Sequence, residues 1–164
     1  MMRIGQSRDT HRLRKGTALT LGGVSIPSPY EAVGHSDADC LLHAVSESIL
    51  GALALGDIGT HFPDDDVAYE NVDSKELLMR VANLMWEKGF QVVNMDATVH
   101  LETPKLKDYI DPMRTTIANC LGTKVAQVSL KATTGEKVGP VGKSEAISAE
   151  CVVLLEQRRR IQPL

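Results

Sequence analysis

Four stretches of this chain are dense enough in reactive side chains to do chemistry. The first is "RDTH", with Asp9 and His11 two positions apart. In an extended segment, residues i and i+2 share a face. A carboxylate and an imidazole then stand side by side, a donor pair suited to a divalent transition metal such as zinc. The second is "VGHSDADCLLHA", residues 33–44, which carries His35, Asp37, Asp39 and His43. The third is "KATTGEK", Lys131 to Lys137, followed by "VGPVGK". Its hydroxyls, glycine amides and lysines suit phosphate oxygens, and Glu136 offers a carboxylate for a hard cation such as Mg2+ between phosphates. The G-x-x-x-x-G-K-[ST] spacing of a P-loop is absent, and a Gly-rich loop joining two strands needs no ligand. The fourth is "GDIGTHFPDDD", Gly56 to Asp66, a polar loop of a kind that often carries function. There Asp57 can accept hydrogen bonds from sugar hydroxyls, while the run of aspartates also reads as a solvated patch.

The two histidines of the second stretch do not read as a pair. Eight residues along a helix span roughly 12 Å, and ligands on one helix sit three or four apart. Asp39, His43 and Glu47 do fall at four-residue steps on one face. From spacing alone His43 has three readings: a ligand with Asp39, a lone ligand joining Asp9 and His11, or a hydrogen-bonded core histidine.

These groups need elements to hold them. Arg3 to Leu13 is short and polar, with weak strand character. "TALTLGGVSIP" predicts a hairpin turning at Gly22-Gly23. Ser36 with Asp39 reads as a capping box opening a helix. Leu41, Leu42, Val45, Ile49, Leu50 and Leu53 then recur at helical spacing, and Gly56 stops it. Residues 56–72 read as a loop. Asp73 with Glu76 opens a second helix, with Leu77, Leu78, Val81, Leu84 and Met85 inward, ending at Gly89. "VVNMDATVHL" alternates as a half-buried strand, with Val93, Met95, Ala97, Val99 and Leu101 on the apolar side. Asp111-Pro112 opens a third helix that runs to Gly122. "QVSLKAT" and "EAISAECVVLLE" read as strands around a Gly-rich loop. The predicted fold is an α/β (α+β) sandwich, a mixed β-sheet with helices packed on one face.

The 164 residues predict a single domain, 1–164. At 43% hydrophobic but 4% aromatic, the core must be largely aliphatic. The net charge of −3 argues against broad nucleic-acid binding through phosphate neutralisation. It leaves open a small anion held through cations. Cys40, Cys120 and Cys151 lie far apart in apolar runs, as free thiols of a reducing compartment do. The N-terminus lacks the apolar region of a signal peptide. No apolar run approaches the ~20 residues of a membrane span. The expectation is a cytoplasmic protein without membrane contact.

Taken together, the motifs resemble the 2-C-methyl-D-erythritol 2,4-cyclodiphosphate synthase family of the non-mevalonate isoprenoid pathway. The likeness runs in register through "RIG", "DTH", "GHSDADCLLHA", "GALALGDIGTHFPD", Pro104-Lys105 and "KATTGEK". It implies a homotrimer with each site between two subunits. The implied substrate is a cytidine diphosphate, 4-diphosphocytidyl-2-C-methyl-D-erythritol 2-phosphate. Its 2-phosphate attacks the β-phosphate and expels CMP, so no protein nucleophile is required and positioning with electrostatics dominates. The absence of a Ser-His-Asp or Cys-His pattern agrees.

Carried over by matching motif, the resemblance makes Asp9, His11 and His43 the ligands of a Zn2+-like ion. Glu136 becomes the carboxylate for Mg2+ or Mn2+ on the diphosphate. It gives His35 and Thr134 transition-state roles, with Ser36 on the phosphate side. Asp57, Ile58 and Gly59 match a methylerythritol/ribose-binding loop, and Phe62, Pro63, Asp64, Asp65 and Asp66 a methylerythritol pocket. Leu101, Glu102, Thr103, Pro104, Lys105, Leu106, Lys107 and Thr133 match the cytidine side. Thr10, Gly135 and Lys143 complete the substrate-contacting set. The chain departs from the family pattern at Gln6, Arg8, Gly135, Pro140 and Lys143. Pro140 and Lys143 fall in a region associated with the trimer's central cavity. Lys cannot reproduce a bidentate Arg–phosphate contact, so isoprenoid diphosphate binding there is not expected. Two other readings share the ligands or the scaffold: a metal-dependent phosphoesterase using water, and a non-catalytic trimeric binding protein. The four intact cation-binding side chains argue against the latter.

Overall fold

The computed structural model describes residues 1–34, 36–62 and 72–158. Its longest element, β1 (Met2–Lys15), is the one whose extent the composition hides. Gly5, Ser7, Asp9, His11 and Leu13 face the helices, while Ile4, Gln6, Arg8, Thr10, Arg12 and Arg14 face away. Because small and ionisable residues occupy the inner face, the alternation of apolar with polar that marks a strand never develops.

Strands β1, β4 (Tyr30–Val33), β5 (Phe90–His100), β6 (Val128–Thr133) and β7 (Ala146–Gln157) form one sheet in the order β4-β1-β7-β5-β6. Only β5–β6 is parallel, so the predicted mixed sheet is present. Helix α1 (Cys40–Ala52) lies across β1 and β7, α3 (Ser74–Glu87) packs on α1 and β5, and α4 (Ile110–Cys120) covers β6. α1 approaches so closely that a Cβ on Gly5 would stand 1.9 Å from the Ser48 carbonyl oxygen. The far side of the sheet carries no helix among the described residues, and Ile4 and Val152 stay 71% and 42% exposed there.

The hairpin of β2 (Ala18–Leu21) and β3 (Val24–Pro27) turns where expected. Gly22 and Gly23 both have positive φ, as a type I′ turn demands. Elsewhere the fold differs from the sequence reading, which named no strand at β4. In β5 a bulge inserts Val93 between Val92 and Asn94. The inward set is therefore Phe90 and Val92, then Met95, Ala97 and Val99, with Val93 half-exposed. Gln127 Nε2 donates to the carbonyls of Val92 and Val93 that the bulge frees, at 3.0 and 2.8 Å. Short helices also interrupt the two predicted loops: α2 (Ile58–His61) and α5 (Gly139–Gly142). The core is aliphatic and thioether, with Leu41, Leu42, Ile49, Leu50, Met85, Met95 and Met113 fully buried. The three cysteines are buried and free.

Candidate active site

Strand β1 presents Asp9 and His11 on its inner face, and α1 lowers His43 onto them. Asp9 Oδ2 lies 3.0 Å from His11 Nε2 and 3.2 Å from His43 Nδ1, and the two ring nitrogens are 3.2 Å apart. Among the described residues this is the one cluster of three such groups able to hold a metal ion. A tetrahedral ion bound at about 2.0–2.1 Å spaces its donors by roughly 3.3 Å. The triangle matches one face of that tetrahedron, and its chemistry, one carboxylate and two imidazoles, fits a divalent transition metal with a fourth position left for substrate. Asp39 is not part of it: the structure sets His43 beside Asp9 and His11 rather than beside Asp39.

The electrostatics suit a cation. Burial alone would raise the Asp9 carboxyl, but hydrogen bonds and charge from His11 and His43 outweigh it and hold Asp9 well below the usual carboxylate range. Burial would depress His11, yet the hydrogen bond and charge of Asp9 push it up. Cys40 Sγ donates to the Asp9 carbonyl at 3.3 Å and is kept a thiol by burial, so it supports β1 rather than ligating.

Each member of the cluster is also held from behind. His11 Nδ1 meets the Val33 carbonyl at 3.0 Å, which commits Nδ1 as donor and leaves Nε2 for the cluster. The Thr10 N–H donates to Asp9 Oδ1 at 2.7 Å. His43 Nε2 faces Ser74 Oγ at 2.9 Å and Ser36 Oγ at 3.1 Å.

The stretch that contains His43 folds differently from its sequence reading. Ser36 does not cap α1. Asp39 does, accepting from the Leu42 N–H at 3.0 Å, and its carboxylate also takes the Gly22 and Gly23 N–H groups at 2.9 and 2.7 Å. Asp39 is fully buried, and burial pushes its pKa up against those three donors. Asp37, which sequence reasoning left without a role, accepts from Ser74 Oγ at 2.5 Å and from the Ser74 N–H at 3.2 Å. Ser74 was missed altogether. It follows the Asp73 cap of α3 and nothing in its neighbourhood marks it. His35, Pro63, Asp64, Asp65 and Asp66 lie outside the described residues.

A second group of sequence-predicted residues assembles at the end of β6. A cavity of about 480 Å3 is lined by Leu101, Pro104, Lys105, Leu106, Lys107, Thr133 and Thr134, with Ile110, Leu130 and Ala132 as its apolar wall. The Leu101 N–H donates to the Thr133 carbonyl at 2.9 Å, and the Gly135 N–H to Glu102 Oε2 at 3.0 Å. These two bonds tie the 101–107 segment to the strand end. Thr134 Oγ1 donates to Glu136 Oε1 at 2.6 Å. Glu136 and Lys137 have φ of +51° and +61°, in the left-handed region, strain that such loops keep only where the surroundings enforce it. Gly135 leaves no room for a side chain: a Cβ there would lie 2.5 Å from the Gly142 nitrogen. Lys143, exposed just past α5, does not line this cavity.

The two groups do not meet within one chain. Asp9 pairs across to Ala149, Ala149 to Val99, and Val99 to Ala132. Three strand spacings, roughly 14 Å, thus separate the Asp9–His11–His43 cluster from the β6 cavity. The β2–β3 hairpin bonds to the N-terminus of α1 through the Gly22 N–H and packs Gly22 on Met113 of α4. Asp57, Ile58 and Gly59 form a third station beyond the C-terminal end of α1. Asp57 caps α2 by accepting from the Thr60 N–H and hydroxyl at 2.8 and 2.7 Å, and these bonds lower its pKa. Phe62, by contrast, is buried against the core.

Comparison with known proteins places this arrangement in a family. A family model described as the YgbB family matches residues 2–156. A 2-C-methyl-D-erythritol 2,4-cyclodiphosphate synthase from Natranaerobius thermophilus is 52% identical over 156 residues, covering 95% of this chain and 99% of that protein. The bifunctional IspDF from Campylobacter jejuni superposes with a TM-score of 0.91 at 36% identity. The match covers 96% of this chain and spans 42% of that longer one. A Plasmodium falciparum IspF structure, described as a CDP complex, gives 0.85 at 33% identity over 96% and 97% of the two chains.

Proposed function

This chain belongs to the YgbB family, and from that premise we propose that it makes 2-C-methyl-D-erythritol 2,4-cyclodiphosphate from 4-diphosphocytidyl-2-C-methyl-D-erythritol 2-phosphate. A 2-phosphate oxygen bonds to the β-phosphorus, the bond from that phosphorus to the bridging oxygen breaks, and CMP leaves with the α-phosphate. The reaction is a cyclising phosphorus–oxygen cleavage with no covalent enzyme intermediate.

The observation that carries this reading is the Asp9–His11–His43 triangle, one open face of a tetrahedral donor set, in a chain that also forms the β6 cavity. Asp9, His11 and His43 would hold Zn2+, and Glu136 would hold Mg2+ or Mn2+ beside the diphosphate. A cation at either place supplies positive charge against phosphoryl oxygens, which is how a chain of net charge −3 accommodates a polyanion. The protein's own part is to orient. Thr134 presents a hydroxyl at the diphosphate, fixed by its bond to Glu136. His35 and Ser36 serve the phosphate side. The 101–107 segment and Thr133 receive the cytidine, whose base would lie on Leu130 and Ala132. Asp57, Ile58 and Gly59 take the sugar-like hydroxyls. Bringing the two ends of the substrate together is worth more than any single contact.

The roughly 14 Å between the two halves supports sites shared between copies, as does the uncovered sheet face with exposed Ile4 and Val152. We therefore read the protein as a homotrimer of one-domain chains. No helix among the described residues is long and apolar enough to cross a membrane, and we place the enzyme in the cytoplasm with neither nucleic-acid nor membrane partners.

Phosphorus NMR of products, after incubation with the cytidyl substrate, Mg2+ and zinc-loaded protein, tests the reading. CMP together with a cyclic diphosphate is the expected outcome. CMP with a linear product bearing two separate phosphate monoesters would make the protein a hydrolase, and unchanged substrate would refute the activity.

A further inference from the structure

We propose that Asp37 and Ser74 form a positioning relay that dictates which nitrogen of His43 faces the metal position and locks that ligand to the N-terminus of α3. The inference rests on reading Asp9, His11 and His43 as a metal site. It assigns roles to two residues that the reaction itself does not use.

The proton count decides the direction of the relay. Ser74 has one hydroxyl proton, and the Asp37 carboxylate, 2.5 Å from Ser74 Oγ, can only accept. The Ser74 oxygen therefore turns a lone pair toward His43, whose Nε2 is 2.9 Å away. If Nε2 carried no proton, two lone pairs would face each other at that distance. Nε2 must carry a proton, so Nδ1, directed at Asp9 and His11, is the nitrogen that would give up its proton to Asp9 or its lone pair to a bound metal. Ser36, 3.1 Å from the same Nε2, accepts from the Ala38 N–H at 3.2 Å. The relay leaves the Ser36 proton uncommitted to the ring and available to a phosphate oxygen.

His11 is set the opposite way. Its Nδ1 is committed to the Val33 carbonyl, so it offers Nε2. The centre thus uses unlike nitrogens of its two histidines, each chosen by the group behind it.

Asp37 also binds two segments together. Its carboxylate accepts from the Ser74 and Asp39 N–H groups, each at 3.2 Å, and its own N–H donates to the Val72 carbonyl at 3.3 Å. One side chain therefore joins the approach to α1 with the start of α3, and through Ser74 it reaches the ligand.

The test is zinc affinity, measured by competition with a chromophoric chelator, for the wild type, Ser74→Ala and Ser74→Thr. Outer hydrogen-bond partners of metal ligands are worth about 10- to 100-fold in affinity. Ser74→Ala should lose that much, and Ser74→Thr, which keeps the hydroxyl, should stay near wild type. Long-range proton–nitrogen correlation spectra of the zinc-loaded wild type should show His43 Nε2 bearing the proton and Nδ1 metal-bound. That measurement decides the matter even if Ser74→Ala does not fold. Wild-type affinity in a folded Ser74→Ala protein, or a proton found on His43 Nδ1, overturns the relay. A wild-type chain that binds no zinc overturns the metal site on which the relay rests. Zinc bound as expected without CMP release leaves the relay standing and refutes the proposed activity.

Discussion

Replacing Asp39 by Asn separates a structural carboxylate from a metal ligand. Its two oxygens divide three donors: Oδ1 takes the Gly22 and Leu42 N–H groups, and Oδ2 takes that of Gly23. Asn retains one acceptor, so the first two bonds can survive, but its amide nitrogen then meets the Gly23 N–H donor to donor. A lost hydrogen bond plus an unsatisfied, partly buried donor costs about 2–3 kcal/mol. That is a large share of the ~5–15 kcal/mol of a typical domain. Asp39→Ala removes both acceptor oxygens, and with them all three bonds and the helix cap, and should lose about 3–5 kcal/mol, less than three independent penalties because Gly23 is partly open to water. His43 lies one turn into α1, and its own N–H bonds to the Asp39 backbone carbonyl at 3.0 Å, which neither substitution removes. Denaturant unfolding of the metal-free proteins should show the loss, while zinc stoichiometry in Asp39→Asn stays at one per chain. A variant that keeps its stability and loses its zinc would refute the assignment of Asp39 to the cap and restore it as a ligand.

Gly5→Ala forces a methyl to within 1.9 Å of the Ser48 carbonyl and 2.7 Å of the Ala52 nitrogen. Neither can swing aside, so thermal unfolding should report a loss of about 2–3 kcal/mol, and an unchanged midpoint would contradict the packing of α1 on β1. In metal-free protein, the raised pKa of His11 stabilises fully below the unfolded value of 6.5 and is lost as pH rises through the folded value. The lowered pKa of Asp9 stabilises above 3.8 and is lost as pH falls through its folded value. The stability difference between wild type and His11→Asn in EDTA should therefore be largest between these two unfolded values, and a difference that grows from pH 6.5 to 8 would show that the pair does not share a proton. His43→Ala and Glu136→Gln should each abolish turnover. Refolded together at equal amounts, they should regain activity at about a quarter of the sites if each site draws these residues from two copies. No recovery in mixed trimers would place both residues of a site in one chain.

Local pattern alone foretold the hairpin at Gly22-Gly23, the helices begun near Asp39 and Asp73, and the final alternating strands. In each case the signal is a period or a turn residue carried by neighbours in the chain. It failed at β1, where the inner face holds Gly5, Ser7, Asp9 and His11 instead of large apolar residues. It slipped by one residue in β5, because a bulge depends on the partner strand and on Gln127, 34 positions beyond Val93. It also placed the cap of α1 at Ser36. That choice was settled elsewhere, by a hairpin whose two glycine N–H groups needed the Asp39 carboxylate.

The chemistry divides along the same line. The residue types and the two-residue step of Asp9 and His11 on a strand are properties of the chain itself, and so is the choice of donors that suit a transition metal. The spacing of His43 left its partners open. Only folding brings it across 32 positions to 3.2 Å from His11, and only folding puts Ser74, 31 positions further on, behind its ring. Asp37 shows the limit most plainly. It sits in the middle of the most suggestive stretch of the sequence, and its role is set by a serine 37 residues away. A side chain's type is written locally, but its work is set by the groups that reach its atoms. In a mixed sheet covered by helices, those groups come from distant parts of the chain.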